Sequence, residues 1–475
     1  MNVLFAASEC VPFIKTGGLG DVVGALPKAL KREDVHVSVV LPKYQDLNPV
    51  YLKQMTYMKY IFIPVGWRNQ YCGIFHLEQS GIHYYFLDNE YYFGRTGCYG
   101  YDDDGERFAF FSRAVLEILP HLFDKPDVIH CHDWQTGPIS VLLDAHFRTQ
   151  MFYKDIRTVF TIHNLRYQGV FSKSVLSDLL DLDFSYFHKD GLEFYDNVSY
   201  MKAGLAYSDF LTTVSRTYAR EIQMPYYGEK LDGFLRWRSG KLRGIVNGID
   251  HESYDPKTDK QLFANYDQAE GKRVNKTELQ KRLNLNVDSE IPMIAMITRL
   301  TGQKGIDLVL RVFHEIMQLD VQFVLLGTGE REDEDAFRWL AEQYPDTVSS
   351  NIFFDDGLAR KIYAGSDLFL MPSNFEPCGI GQMLAMRYGS LPIVRETGGL
   401  KDTVLPYNEF TGEGNGFSFT NYNAHDMLYT VERAVRLFKD QQLKFHQLAN
   451  RAMHLDFGWS QSAKEYILLY QKLTK

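Results

Sequence analysis

The stretch Asn374-Phe-Glu-Pro-Cys-Gly-Ile-Gly381, followed by Arg395-Glu-Thr-Gly-Gly399, decides the fold. The apolar run Asp367-Leu-Phe-Leu-Met-Pro372 just before it reads as a buried parallel strand. Residues 379–388 are small and apolar enough for a helix, and Leu391-Pro-Ile-Val394 reads as the next strand. Two consecutive strand-to-helix turns therefore carry carboxylates, small residues and glycines. In an open parallel sheet such turns lie at the carboxyl ends of the strands, where ligands bind. Helix N-termini there present unpaired N–H groups to anions. The reading is an α/β protein with doubly wound sheets.

The chain has 475 residues, too many for one hydrophobic core, so two domains are expected. Hydrophobic and charged contents of 45% and 23% are those of a globular protein in water. The net charge of -9 argues against general nucleic-acid binding. An aromatic content of 14% suits either carbohydrate stacking or ordinary core packing. The five cysteines, Cys10, Cys72, Cys98, Cys131 and Cys378, are odd in number and form no C-x-x-C pair. That pattern fits a reduced, cytoplasmic protein. Residues 1–14 lack a basic start and a cleavage-like end, and no run reaches 18 apolar residues, which argues against secretion and membrane spanning.

The chain opens as βαβ: a strand over 2–8, the glycine-rich turn Lys15-Thr-Gly-Gly-Leu-Gly-Asp21, a helix over 22–31 and a strand over 35–41. The dinucleotide fingerprint G-x-G-x-x-G and the phosphate loop G-x-x-x-x-G-K-[ST] are both absent. Residues 61–65, 73–77 and 83–87 read as an antiparallel β insertion. A helix follows to 119, then strands over 127–132, 158–162 and 210–214, with an irregular stretch over 164–200. Arg243-Gly-Ile-Val-Asn-Gly-Ile-Asp250 reads as the hinge. A second alternation has strands over 293–298, 322–326, 352–354, 368–371 and 391–394. One long helix is expected over 424–448 and a last one over 459–473. The domain limits expected are 1–246, 247–455 and a terminal helix in 456–475.

Several residues invite a functional reading beside a plainer one. Arg299 and Lys304, in Thr298-Arg-Leu-Thr-Gly-Gln-Lys-Gly305, make a diphosphate clamp or a solvated basic loop. Lys15 beside Gly17, Gly18 and Gly20 makes an anion-facing turn or a tight structural one. Asp102-Asp-Asp104 contains Asp-x-Asp, a metal pattern, but most simply starts a helix. His130 and His132 share a strand face with Asp133 next, yet lack a third metal ligand. His163, ending another strand, is a cleft residue or a hydrogen-bonded core histidine. Glu376 is a strand-edge acid or a solvated one.

These stretches resemble the bacterial glycogen synthases of ADP-glucose type, a family shared with the plant starch synthases. The resemblance covers the whole chain. It rests on Lys15-Thr-Gly-Gly-Leu-Gly-Asp21, His132-Asp-Trp134, Thr161-Ile-His-Asn164, Val246-Asn-Gly-Ile-Asp250, Glu376-Pro-Cys-Gly379 and Glu396-Thr-Gly-Gly399, in that order. It implies a GT-B fold of two Rossmann-like domains facing a deep cleft, with the last helix returning to the first domain. It implies transfer of glucose from ADP-glucose to the non-reducing 4-hydroxyl of an α-1,4-glucan such as glycogen, with retention and without metal or cofactor. By the matching motifs Arg299 and Lys304 would neutralise the diphosphate and Glu376 would be the cleft acid, with Cys378 and Gly379 beside it. Thr397, Gly398 and Gly399 would contact phosphate. Lys15, Gly17, Gly18 and Asp21 would meet donor or acceptor, His163 the reacting sugar, and Asn247 the donor. His132, Asp133 and Trp134 would form the acceptor side.

Many GT-B relatives carry a second Glu eight residues after the first; here that place is Leu384, which puts any Glu-pair mechanism in doubt. Two rivals remain: another GT-B transferase with a different donor or acceptor, against which the Lys15 motif speaks, and a non-catalytic glucan-binding protein, against which Arg299, Lys304 and Glu376 speak. The sequence carries no signal for an oligomeric state or for allosteric regulation.

Overall fold

A computed structural model describes all 475 residues. The chain forms two compact units: Met1–Gly248 with Trp459–Lys475, and Ile249–Gly458. The expected limits at 246 and 455 shift by a few residues, and the backbone shows why. Ile249 N–H donates to Phe457 C=O, and Ile249 bridges Gly458, so both crossing strands enter the second unit together. Val246 C=O instead accepts from Ser462 Oγ at 2.5 Å, inside the first unit.

The first unit is built on β1 (Asn2–Ala6), β2 (His36–Pro42), β3 (Thr56–Val65), β4 (Arg68–Gln79), β5 (Ile82–Asp88), β6 (Val128–His132), β7 (Arg157–Ile162), β11 (Phe210–Thr213) and β12 (Leu242–Gly244). They form one sheet in the order β12-β11-β7-β6-β1-β2-β5-β4-β3. The predicted insertion is therefore not separate: β5 pairs parallel with β2, and β4 and β3 extend the same sheet antiparallel. The stretch expected to be irregular holds a second small sheet, β8 (Val170–Ser172), β9 (Glu193–Phe194) and β10 (Asn197–Ser199). Strands of two or three residues leave too little periodicity to read.

The second unit has β13 (Met293–Ile297), β14 (Gln322–Leu326), β15 (Val348–Asn351), β16 (Leu368–Met371), β17 (Leu391–Arg395) and β18 (Phe417–Phe419), all parallel, in the order β15-β14-β13-β16-β17-β18. Buried parallel strands read as unbroken apolar runs, which is why four of the six match their predicted places. The strand expected over 352–354 lies instead at Val348–Asn351, and Phe353 and Phe354 leave the sheet into solvent. The long helix expected over 424–448 is two, Ala424–Asp440 and Gln442–Met453, broken at Gln441 (φ -141°, ψ 51°). The break sets Phe445 edge-on to Phe438, with ring centroids 5.0 Å apart.

The first helix, Gly18–Arg32, starts four residues earlier than the glycines suggested and packs against the last helix, Trp459–Thr474. Gly24 faces the loop before it. A Cβ there would stand 2.6 Å from the Val11 carbonyl oxygen. In an exposed helix Gly→Ala stabilises by about 1 kcal/mol. Here the sign should reverse: Gly24→Ala should destabilise by roughly 1–3 kcal/mol, read as a lower urea midpoint with unchanged slope. A stabilised variant would mean that the helix and loop are not in this contact.

Candidate active site

In the second unit the chemistry gathers at the carboxyl ends of β13, β16 and β17, three adjacent strands. Glu376 lies in the turn after β16 and is only 6% exposed. Its Oε2 accepts from Lys304 Nζ at 2.6 Å and from Ser373 Oγ at 3.0 Å. Lys304 closes the turn after β13, and Arg299, in the same turn, is exposed to solvent. An ammonium has three donors, so Lys304 keeps two after bonding Glu376. The two predicted motifs thus meet in one ion pair.

Two glutamines hold this turn. Gln303 Nε2 donates to Phe375 C=O at 3.2 Å, and Gln382 Nε2 donates to Gly379 C=O at 2.9 Å and Cys378 C=O at 3.2 Å. Gly379 has φ +67°, and Cys378 is buried beside it. The next turn packs directly onto this one. Gly398 has φ +45°, and a Cβ there would overlap the Glu376 carbonyl oxygen. Gly399 N–H donates to Glu376 C=O at 3.1 Å, and Thr397 N–H donates to Arg395 C=O at 2.9 Å. Of the backbone groups expected to face phosphate, the Thr397 and Gly399 amides are engaged inside the protein, and Thr397 is fully buried. The Thr-Gly-Gly run serves to let the two turns touch.

In the first unit the glycine turn is governed by a residue the sequence did not single out, Glu9. Its carboxylate accepts from the N–H of Thr16, from Thr16 Oγ1 at 2.6 Å and from Gly17 N–H at 3.1 Å. Tyr99 OH adds a fourth bond at 2.6 Å. The amide of Gly17, in the turn expected to face an anion, and that of Thr16 before it are thus turned inward onto a protein carboxylate. An acid between the first strand and the glycine turn was the only signal available. Gly17 and Gly18 have open space where a Cβ would stand. Lys15 pairs with Asp21 at 2.8 Å, both partly exposed.

At the ends of β6 and β7 the histidines form one cluster. His132 Nδ1 meets His163 Nε2 at 2.9 Å. His130 stacks on His132 with centroids 4.3 Å apart, and its nitrogens meet Tyr470 OH at 2.7 Å and Thr161 Oγ1 at 2.6 Å. His132, expected on the acceptor side, has no exposed surface and touches His163 instead. Burial lowers all three ring pKa values, that of His163 to about 3, so the rings are neutral. Asp133 stands at φ 57°, ψ -179°, a region nearly reserved for glycine and costing about 1–3 kcal/mol elsewhere. Its Oδ1 accepts from His163 N–H at 2.7 Å, and burial lifts its carboxyl to about 7. Backbone strain of this kind marks functional sites.

Trp134 is mostly buried against Phe108 and Phe171. It lines an open pocket of about 420 Å³ with Tyr167, Phe194, Arg166, Glu229 and Lys230. Asn247 is buried, and its Oδ1 has no partner in the protein. Of the two Asp-x-Asp acids, Asp102 and Asp104, Asp104 pairs with the buried Arg107, and Asp103 between them pairs with Arg95 at 2.7 Å. No group of three His, Cys, Asp or Glu has metal-holding geometry.

These ionisations give a pH signature. The histidines have depressed folded pKa values, so their contribution to stability is present above about 6.5 and is lost as pH falls, for His163 down to about 3. Asp133 runs the other way: its raised value contributes below 3.8, and that contribution is lost as pH rises through about 7. The three rings outweigh the one carboxyl. Stability should fall from pH 7 to 4.5, and His163→Asn should cut that slope by about one proton in urea titrations. An unchanged slope would mean that His163 is protonated in the folded state.

A family model for the starch synthase catalytic domain matches residues 2–237, and one for glycosyl transferases group 1 matches residues 276–452. The chain is 55% identical to the glycogen synthase of Alkaliphilus metalliredigens over 475 residues, covering 100% of both chains. It is 55% identical to that of Geobacillus stearothermophilus over 477 residues, covering 100% of this chain and 98% of the relative. Among solved structures, the catalytic domain of starch synthase IV from Arabidopsis thaliana, bound to ADP and acarbose, superposes with a TM-score of 0.93 at 36% identity, covering 100% of this chain and 99% of that one. A sucrose-phosphate synthase from Thermosynechococcus elongatus shares the fold, with a TM-score of 0.63 at 16% identity, covering 99% and 98%. By full-length identity to the glycogen synthases, the chain belongs to the glycogen and starch synthase family of GT-B glycosyltransferases.

Proposed function

We propose that this enzyme transfers glucose from ADP-glucose to the 4-hydroxyl at the non-reducing end of an α-1,4-glucan, with retention of configuration and without metal or cofactor. The observation that carries the reading is the Lys304–Glu376 pair at 2.6 Å, set at the carboxyl edge of the second sheet beside Arg299. Departure of ADP develops negative charge on its diphosphate. Cations fixed before the reaction stabilise that charge without reorganising. The open donors of Lys304 and the exposed guanidinium of Arg299 suit a diphosphate.

The base needs a flat apolar surface. Phe354, 83% exposed just past β15, and Phe353 beside it offer one at the same sheet edge. On the first unit, the aromatic pocket beside Trp134, with Arg166, Glu229 and Lys230 at its wall, suits a glucan: ring faces stack on Trp and Tyr, and hydroxyls bond the charged groups. Asn247 supports donor positioning, since its unpaired buried oxygen is an acceptor waiting for a donor.

In the reaction the bond from sugar C1 to the β-phosphate oxygen breaks, leaving an oxocarbenium-like sugar. His163, whose backbone carbonyl ends β7, lies against that sugar and stabilises it by its oxygen. The acceptor 4-hydroxyl adds to C1 from the face the phosphate left, and its proton passes to the leaving phosphate oxygen. Retention follows without an enzymatic nucleophile. The buried Leu384 offers no second acid in the turn. The expected location is the cytoplasm: no helix is long and apolar enough to cross a membrane, and all five cysteines are free and buried.

One assay tests the whole assignment: transfer of radiolabelled glucose from ADP-glucose to glycogen in excess EDTA. The wild type should keep full activity. Glu376→Ala should lose more than tenfold in turnover, at least about 1.4 kcal/mol of barrier. Lys304→Ala should lose turnover more than affinity, and Phe354→Ala affinity more than turnover. Activity abolished by EDTA and restored by manganese would sink the metal-free reading. A Glu376→Ala enzyme with near-native turnover would remove the acid from the site.

A further inference from the structure

The hydrogen bonds of the histidine cluster fix more than its shape. His132 uses Nδ1 toward His163 Nε2, at 2.9 Å. Its other nitrogen, Nε2, is buried and has no partner. A neutral imidazole carries one N–H and one lone pair, so only two arrangements exist. In the first, His132 Nε2 carries the proton and is an orphaned N–H, while His163 Nε2–H donates to His132. In the second, His132 Nδ1–H donates to His163 Nε2, and only a lone pair is left unpaired. Buried orphan N–H groups are rare and costly, and unpaired acceptors are less so.

His130 does not change this choice. Its nitrogens are both engaged, by Tyr470 OH and Thr161 Oγ1, and its ring stacks on His132 without a hydrogen bond to it. Thr161 Oγ1 is in turn bonded to Thr212 Oγ1 at 2.5 Å, so this side of the cluster is locked. Asp133 reaches His163 through the backbone N–H and leaves the ring alone.

The geometry points to His132 as a positioning residue that holds His163 in the tautomer protonated on Nδ1. His163 then presents an N–H, not a lone pair, to whatever meets its free edge. Its Nδ1 has no hydrogen-bonding partner in the protein and is not among the sealed, unpaired atoms, so that edge is open. The ligand group it selects is an acceptor, such as a sugar hydroxyl oxygen. A donor-only group would be refused. This inference rests on the reading of His163 as facing the donor sugar. It adds that the ring acts as a hydrogen-bond donor there, and that His132, with no exposed surface, sets that role.

Tautomers are assigned from hydrogen bonding unless measured directly, and the measurement is accessible. Long-range proton–nitrogen NMR on the full-length enzyme with nitrogen-15 histidine separates the protonated from the bare ring nitrogen. The His163 signals are identified by their loss in His163→Asn. The expected result is a bare Nε2 and a protonated Nδ1, at every pH where the protein is folded and active. A protonated Nε2 on His163 overturns the proposal, and this measurement on the wild-type ring does not depend on how the His132 variants fold. In kinetics, His132→Leu should lower kcat by about tenfold or more with KM for ADP-glucose changed less than about twofold, and its His163 should show mixed tautomers. His132→Asn places an amide nitrogen where Nδ1 stood and should restore most of kcat. A His132→Leu enzyme with native kcat overturns the positioning role. If His163→Ala keeps native activity, the reading of His163 against the sugar fails instead, while the tautomer itself is still decided by the NMR result.

Discussion

The ion pair between Lys304 and Glu376 is the contact on which the second unit's active edge depends. Each side chain sits deep enough that leaving its charge alone would be costly. Removing one partner of such a pair costs several kcal/mol, while the intact pair gives little net stability. It is therefore better understood as a positioning device than as a source of stability. The pair ties the turn after β13 to the turn after β16, and Ser373 adds a second bond to the same carboxylate oxygen. The Thr397-Gly-Gly turn then packs against the Glu376 carbonyl, which fixes the backbone behind the acid. A cation placed before the substrate arrives needs no reorganisation when negative charge develops on a leaving group.

The first unit solves a different problem with the same economy of groups. Its glycine turn could splay open, and Glu9 prevents this by taking both amides and a hydroxyl of the turn. The histidines could titrate near neutral pH, and burial prevents that. Asp133, on its strained backbone, sets its carboxylate on the His163 amide. In each case a polar group is held by contacts internal to the unit. The aromatic pocket beside Trp134 is the exception, open and bordered by charges of both signs.

Much of this was legible in the sequence, for a physical reason. Strands buried on both faces must be apolar throughout, so β13, β14, β16 and β17 stood out at or near their true limits. The turns at their carboxyl ends then located Arg299, Lys304 and Glu376. What could not be read was pairing. That His132 lies against His163 follows from the register of β6 with β7, where His132 stands opposite Thr161, and register is a property of the folded sheet. The same holds for the Glu9 cradle and for the packing of Gly399 on Glu376. Segment limits failed where local preference was weak: the helix breaks at Gln441, and only the folded chain shows Phe445 turned edge-on to Phe438 across that break. Phe353 and Phe354 misled because exposed aromatic residues resemble a strand when only the sequence is in view.

The central claim is that Lys304 and Glu376 act as one unit on the reacting donor. A double-mutant cycle on kcat, with Lys304→Ala, Glu376→Gln and the double variant, tests it most directly. The account predicts strong non-additivity: either change alone should remove most of the rate, and the double variant should be little worse than the slower single one. Losses that multiply, so that the double variant falls by the product of the two, would show that the residues act independently and would contradict the account.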